Sequence, residues 1–322
     1  PGVMSSFQEV KQLLSNTQYN VKNRQVARFF PIEGVNEREL DDSFIEEAST
    51  LLNRQNDMIF SRFNIALSLT AGLDSRLSLS FLKNHKEAFS SFTYTIWGNR
   101  SHKIDADVAS DMSKKFSFNH EHVKYSKNDG NDTVSKSISR SHGGIRRGPA
   151  VHEAFRDFFP SEYINLRSSV SEVFRCYWQK NPVNRNAKLP LDKILNLYKK
   201  DIKGICEKPW IEFVEVQKFP QERFHGYDPI DLFYWEHRMS NWFSQVLLDA
   251  DTSHESFVPY NNRKLLIFFL SVPFEDRLED KIPEKLIRHN WPELLEFPIN
   301  PKEYPVVENI SSSTGFRDDV EV

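Results

Sequence analysis

The chain has 322 residues, 39% of them hydrophobic and 27% charged, and a formal net charge of −3. This is ordinary globular composition with enough apolar residues for a full core, and its weak acidity gives no electrostatic reason to bind nucleic acid or an anionic membrane, which both reward clustered Lys and Arg. The longest apolar stretch, Lys264 to Phe274, is far shorter than the roughly 20 residues of a spanning helix, no signal-like segment opens the chain, and Cys176 and Cys206 are too few for a disulfide framework. The expectation is a cytoplasmic protein with neither membrane nor nucleic acid as partner.

Residues 1–37 show little periodicity and read as a lead-in or linker, one that could follow a further N-terminal domain. Leu40, Phe44, Ile45, Ala48, Leu51 and Leu52 then recur at helical spacing behind acidic residues, which predicts a helix over Glu39 to Gln55. From Phe63, strand-like and helix-like runs alternate: FNIALSLT and a helix from about Asp74, AFSSFTYTIW and a helix through DADVASDMSKKF, HEHVKY and a segment ending near His142, then VHEAFRDFF and YINLRS. Such alternation implies a mostly parallel sheet with helices on both faces, here over residues 38–179. Residues 180–307 read as mainly helical, completing a substrate pocket. One stripe is Leu191, Ile194, Leu195, Tyr198 and Ile202; a longer one is Leu232, Trp235, Met239, Trp242 and Val246, opened by Asp228 as N-cap and Pro229 at N1. Residues 308–322 read as a loose tail.

The turn Thr70-Ala71-Gly72 sits between a strand and a helix, where parallel sheets bind ligands. Its small residues allow successive N–H groups to converge on an anion beside the helix N-terminus, with Thr70 and Ser75 as hydroxyl donors and Asp74 as a metal carboxylate. The same residues also suit a tight turn with a capped helix. Neither the Walker A pattern nor the dinucleotide fingerprint is present.

LSLTAGLDSR, Leu67 to Arg76, resembles the S-G-G-x-D-S pyrophosphate loop of the N-type ATP pyrophosphatases. The later segments, in order, are similar to the synthetase domain of the asparagine synthetase family: SSFTYTI, DADVASDMSKKFSFNHEHV, YINLRSSVSEVFRCYW and HESFVPYNNRKLLIFFLSVP. The resemblance covers about Asp42 to Lys302 and implies an adenine nucleotide α-hydrolase-like fold. It also implies an ATP- and Mg²⁺-dependent, AMP-forming carbon–nitrogen ligase that adenylates a carboxylate, releases pyrophosphate and passes the acyl group to ammonia or an amine. By the same resemblance Leu69 and Thr70 border the nucleotide, and Gly72, Asp74 and Ser75 cradle pyrophosphate; Ala71 and Ser168 are further candidates for that site, with Arg76 an extra cation one residue past the loop and Arg167 an unusual residue that could replace part of a missing positive charge. The backbone near Tyr94 and Thr95 meets adenine, Asp74 and Glu172 hold Mg²⁺, and Lys302 assists adenylation. A glutaminase domain or subunit would be an ammonia source.

The chain departs from the family pattern at Ser171, Phe257 and Asn262, which replace Asp, Arg and Asp. A degenerate nucleotide-binding or scaffold subunit is the alternative. Arg76 either reaches a phosphate or caps the helix surface. Arg146 and Arg147, in a Gly-rich basic stretch, and Arg238, in an aromatic helix, are candidates for an anionic small-molecule carboxylate substrate. His120 and His122 share one strand face without a third nearby ligand for zinc.

Overall fold

A computed structural model describes the chain except for residues 1, 6, 8, 127–132, 134, 135, 139, 141–148, 160, 161, 183, 184, 186, 187, 199–206, 216, 217 and 306–322. Strands β1 (Thr17–Asn20) and β2 (Gln25–Arg28) form an antiparallel hairpin within the expected lead-in. Helix α1 (Asp42–Phe60) is capped by Asp41, which accepts the Phe44 N–H, and outruns its predicted end because neither Gly nor Pro interrupts Asn56 to Phe60. The alternation then proceeds as β3 (Asn64–Ser68), α2 (Leu73–Ser80), β4 (Phe89–Ile96), α3 (Arg100–Phe116), β5 (Asn119–Tyr125), α4 (Pro149–Phe158) and β6 (Tyr163–Leu166). Beyond lie α5 (Leu191–Tyr198), α6 (Glu207–Glu215), α7 (Pro229–Phe233), α8 (Ser244–Ala250), β7 (Ser256–Phe257), α9 (Arg263–Leu270), α10 (Phe274–Leu278) and α11 (Lys281–Asn290). Ile202, the tail from Glu308 and most of the expected segment toward His142 lie outside the described residues.

The five strands β5-β4-β3-β6-β7 make one sheet, and every pairing in it is parallel. The α/β architecture with a mainly helical C-terminal part is therefore as the sequence predicts. The chain steps from β3 outward to β4 and β5, then returns to lay β6 on the other side of β3. With right-handed crossovers the two outward steps put α2 and α3 on one face, and the return puts α4 on the other. Accordingly Val151, Phe155 and Phe159 of the α4 region pack on Ala66, Phe92 and Val123, one from each of β3, β4 and β5. Strand β7 was not foreseen: two residues are too few for a visible alternation, and pairing alone defines them.

The long stripe is corrected by the structure. Asp228 does cap α7, accepting from the Ile230 and Asp231 N–H groups, but Tyr234–Phe243 is a π-helix between α7 and α8. Its wider turn adds a residue to the repeat, so Phe243 is buried where the α-helical period placed Trp242.

The chain forms two compact units, each built from separated stretches: residues 1–39, 172–245 and 266–279 in one, and residues 40–171, 246–265 and 280–322 in the other. The first packs Trp210, Phe213 and Phe233 around the His237 ring, whose pKa burial lowers to about 3, leaving it neutral. It also buries two ion pairs, Arg28 with Glu236 and Arg277 with Asp231. The second contains the whole parallel sheet and the loop discussed below.

Candidate functional site

Strand β3 ends at Ser68, and the strands on its two sides are reached by opposite directions of travel, so the space beyond its carboxyl end is the switch point of the sheet. Two connections meet there. The first is the turn Leu69 to Gly72, which leads into α2; the second is Arg167 to Ser171, which leaves β6. Strand β4 pairs with β3 only as far as Phe92, opposite Ser68, and continues alone on that side to Ile96, past the turn.

The turn is held by its own side chains. Leu69 is anchored at both ends, its N–H donating to the Phe92 carbonyl and its carbonyl accepting from Thr93 Oγ1 at 2.6 Å. The Thr70 N–H donates to Ser75 Oγ at 3.1 Å, the Gly72 N–H to Thr70 Oγ1 at 3.1 Å, and the Ala71 N–H to Asp105 Oδ1 at 3.0 Å. All three N–H groups that the sequence offers to an anion thus already have oxygen acceptors within the fold, one of them a carboxylate. Burial pushes the Asp105 carboxyl above the usual range, opposed by its bond from Ala71.

Asp105 escaped the sequence reading as a site residue. A signal was there: Asp105 and Asp107 are two apart, a spacing that cannot share one helix face. Asp107 pairs with Lys103 along α3, and Asp105 turns to the loop.

Asp74 stands in the first turn of α2, partly buried, and accepts a hydrogen bond from Ser171 Oγ at 2.5 Å. The two connections at the switch point are joined by this bond. Ser171, fully buried, also lies 2.9 Å from the Ser168 carbonyl. Ser168 Oγ is buried without a hydrogen-bond partner among the described residues, and Val170 between them has φ of +79°, a conformation that a β-branched residue adopts only under strain. The unit boundary falls after Ser171, so Glu172 belongs to the other unit.

The structure corrects Arg76. Its side chain is wholly inside, so it does not cap the helix surface. Nη1 donates to the carbonyls of Leu294 and Phe297, and Nη2 to those of Ala71 and Pro298. Burial pulls its pKa down to about 10, and among the described residues no carboxylate lies within ion-pair distance. The C-terminal segment it grips also touches the turn directly, since the Asn300 N–H donates to the Ala71 carbonyl. Lys302, two residues on, is exposed.

The remaining candidates fall as follows. Thr95 is buried with its hydroxyl on His122 Nε2, while Tyr94 is half-buried against His102 and Phe155. The backbone N–H of Arg167 donates to the Phe257 carbonyl, tying β6 to β7. Asn262 caps α9, accepting the Lys264 and Leu265 N–H groups and donating to Gln55, which is a structural role. Arg238 lies in the other unit with its guanidinium 4.0 Å from the Trp242 ring centre. Arg146 and Arg147 are outside the described residues. His120 bonds Ser91, and burial lowers the pKa of His120 to about 3 and of His122 to about 4, so both are neutral. No group of three or more metal-ligating side chains gathers among the described residues, and among them no helix is long and apolar enough to cross a membrane.

No protein-family model matches the chain, and neither does any curated protein. Among solved structures, the U34-tRNA thiolase NcsA from Methanococcus maripaludis with its 4Fe-4S cluster is similar at a TM-score of 0.32 and 12% identity, over 84% of this chain and 68% of that one. A likeness of that degree says nothing about the chemistry of this chain.

Proposed function

We propose that the chain binds ATP with its polyphosphate at Thr70–Ser75 and its adenine beside the end of β4, and that it is an AMP-forming ligase of the asparagine synthetase type. A substrate carboxylate oxygen attacks the α-phosphorus, the bond to pyrophosphate breaks, and ammonia or an amine then attacks the acyl carbon, losing a proton as AMP departs. The observation that carries this reading is the Asp74–Ser171 bond: it joins the connections after β3 and β6 at the switch point of a parallel sheet, over a short turn that opens onto a helix. The Ser168 hydroxyl, without a partner among the described residues, and the strained Val170 beside it support it.

The residues fit a nucleotide with magnesium. Mg²⁺ keeps several waters and needs one or two carboxylates besides phosphate oxygens, and Asp74 offers one at the head of α2. When bound, the ion would neutralise charge on the departing pyrophosphate. Glu172 is the second carboxylate of this reading, Lys302 the cation at the α-phosphate, and Arg167 a further phosphate contact. A phosphate entering the turn exchanges with internal acceptors: it takes the Gly72 N–H from Thr70 Oγ1 and the Ala71 N–H from Asp105, whose elevated pKa eases the loss of that charge.

One observation favours a second reading, a nucleotide-binding scaffold without chemistry. Ser171, in the place of an acid, spends its hydroxyl on Asp74 instead of adding a carboxylate. ATP–pyrophosphate exchange across a panel of uronic acids and amino acids separates the two, with Asp74→Ala as control. Exchange that Asp74→Ala abolishes is expected. ATP-dependent thermal stabilisation without exchange would select the scaffold, and absence of both would overturn nucleotide binding.

A further inference from the structure

We propose that Arg76 is a positioning residue for the phosphate loop: its buried guanidinium sets the Ala71–Gly72 peptide, and with it the direction of the Gly72 N–H, and ties the segment carrying Lys302 to the same peptide. The inference rests on the phosphate-binding reading above.

The geometry makes the argument. The Ala71 carbonyl is gripped twice, by Arg76 Nη2 at 3.2 Å and by the Asn300 N–H at 3.1 Å. A trans peptide is planar, with its N–H antiparallel to its C=O, so holding that carbonyl inward turns the Gly72 N–H the opposite way. Gly72 itself has little room: a Cβ there would lie 3.2 Å from Thr70 Oγ1 and 3.5 Å from Asn300 Oδ1. Arg76 lies in the first turn of α2, four residues beyond the donor it orients, and therefore acts through the loop without touching what the loop binds.

Its setting is costly for a merely structural residue. The guanidinium has no exposed surface, and among the described residues its Nε–H has no acceptor and no carboxylate compensates its charge. An apolar side chain would fill the same space without that penalty. What an apolar side chain lacks is a planar fork that reaches carbonyls from two places at once, here Ala71 on one side and Leu294, Phe297 and Pro298 on the other. Because Pro298 and Asn300 are fastened there, Lys302 leaves the loop's edge from a fixed point.

The test measures binding of inorganic pyrophosphate and of Mg²⁺–ATP by calorimetry on the full chain, comparing the native protein with Arg76→Lys, Arg76→Met and Leu52→Ala. The last is a core truncation in α1 of the same unit, remote in sequence from the loop, and controls for lost stability. At a temperature where circular dichroism shows all four folded, both Arg76 variants should bind pyrophosphate at least tenfold more weakly, with Leu52→Ala within threefold of native. Arg76 variants within threefold of native would overturn the proposal. A measurement on the native protein stands if the variants do not fold. Pyrophosphate titrated into ¹⁵N-labelled protein should shift the Gly72 amide while the Arg76 guanidinium protons stay protected from exchange, and a Gly72 amide indifferent to saturating pyrophosphate would overturn the positioning role. Native protein that binds neither probe refutes the nucleotide reading itself, a distinct outcome.

Discussion

The bond between Ser171 and Asp74 can be weighed by a double-mutant cycle. Ser171 Oγ carries one proton and has two oxygens in reach, Asp74 Oδ1 at 2.5 Å and the Ser168 carbonyl at 2.9 Å; the carboxylate is the stronger acceptor and the closer. A hydrogen bond to a charged group contributes about 1.5–3 kcal/mol. Asp74 is only partly buried, so water recovers some of this when the hydroxyl is removed. The Ser171→Ala and Asp74→Ala cycle should therefore give a coupling of about 1–2 kcal/mol. Urea unfolding at pH 7 without nucleotide, fitted with a shared m-value, measures it. A coupling below about 0.5 kcal/mol would mean that the two substitutions simply add, and the link between the two connections at the switch point would be refuted. Ser171→Asp extends the test, because it places a second acid beside Asp74. Two carboxylates about 4 Å apart repel by about 4 kcal/mol at an effective dielectric near 20. The variant should thus lose about 2–4 kcal/mol at pH 7, lose less near pH 4, and regain part of the loss in millimolar Mg²⁺. Stability equal to native and independent of pH would refute the proximity argument.

Arg277→Met should cost about 3–5 kcal/mol by urea unfolding, because it strands Asp231, which Arg277 Nη1 meets at 2.6 Å inside the first unit. Asp228 has its pKa raised to about 6 by burial first and Asp231 second. As an acid whose folded pKa lies above its unfolded value, it supplies stability that is complete below about pH 4 and is lost as pH rises to about 6, roughly 3 kcal/mol in all. Asp228→Asn keeps an oxygen for the Ile230 N–H and for Gln179, so its stability should overtake native across that window; parallel pH profiles would refute the assignment. Ser117 ends α3 exposed at φ +57°, a left-handed position that suits glycine, and Ser117→Gly should raise stability by about 0.5–1 kcal/mol in a melting experiment.

Among the described residues from Phe63 to Ser168 the alternation was legible because the strands and helices there run long enough to show their own period, and the Asp228-Pro229 cap because its bonds run to residues two and three away. The π-helix was not, since a widened turn leaves the same apolar residues in the same order and only packing shows which face they take. The partners of the charges at the loop were not legible for a related reason. Arg76 beside the small-residue turn reads locally either as a phosphate contact or as a cap on the helix surface, yet three of its four acceptors stand more than 200 residues away, and Asp105, which reads as one more helix acid, comes from 34 residues away to hold the Ala71 N–H.

By itself, then, the sequence determined the parallel α/β plan and the place of the Thr70–Ser75 turn at a strand's carboxyl end. Both follow from side-chain period and turn chemistry acting over a few residues. Only the tertiary structure decided which strand borders β3, that Ser171 donates to Asp74, and that Arg76 faces inward. Those outcomes depend on which distant carbonyls and carboxylates the crossovers bring to the switch point, and on the cost of leaving any buried donor there without an acceptor.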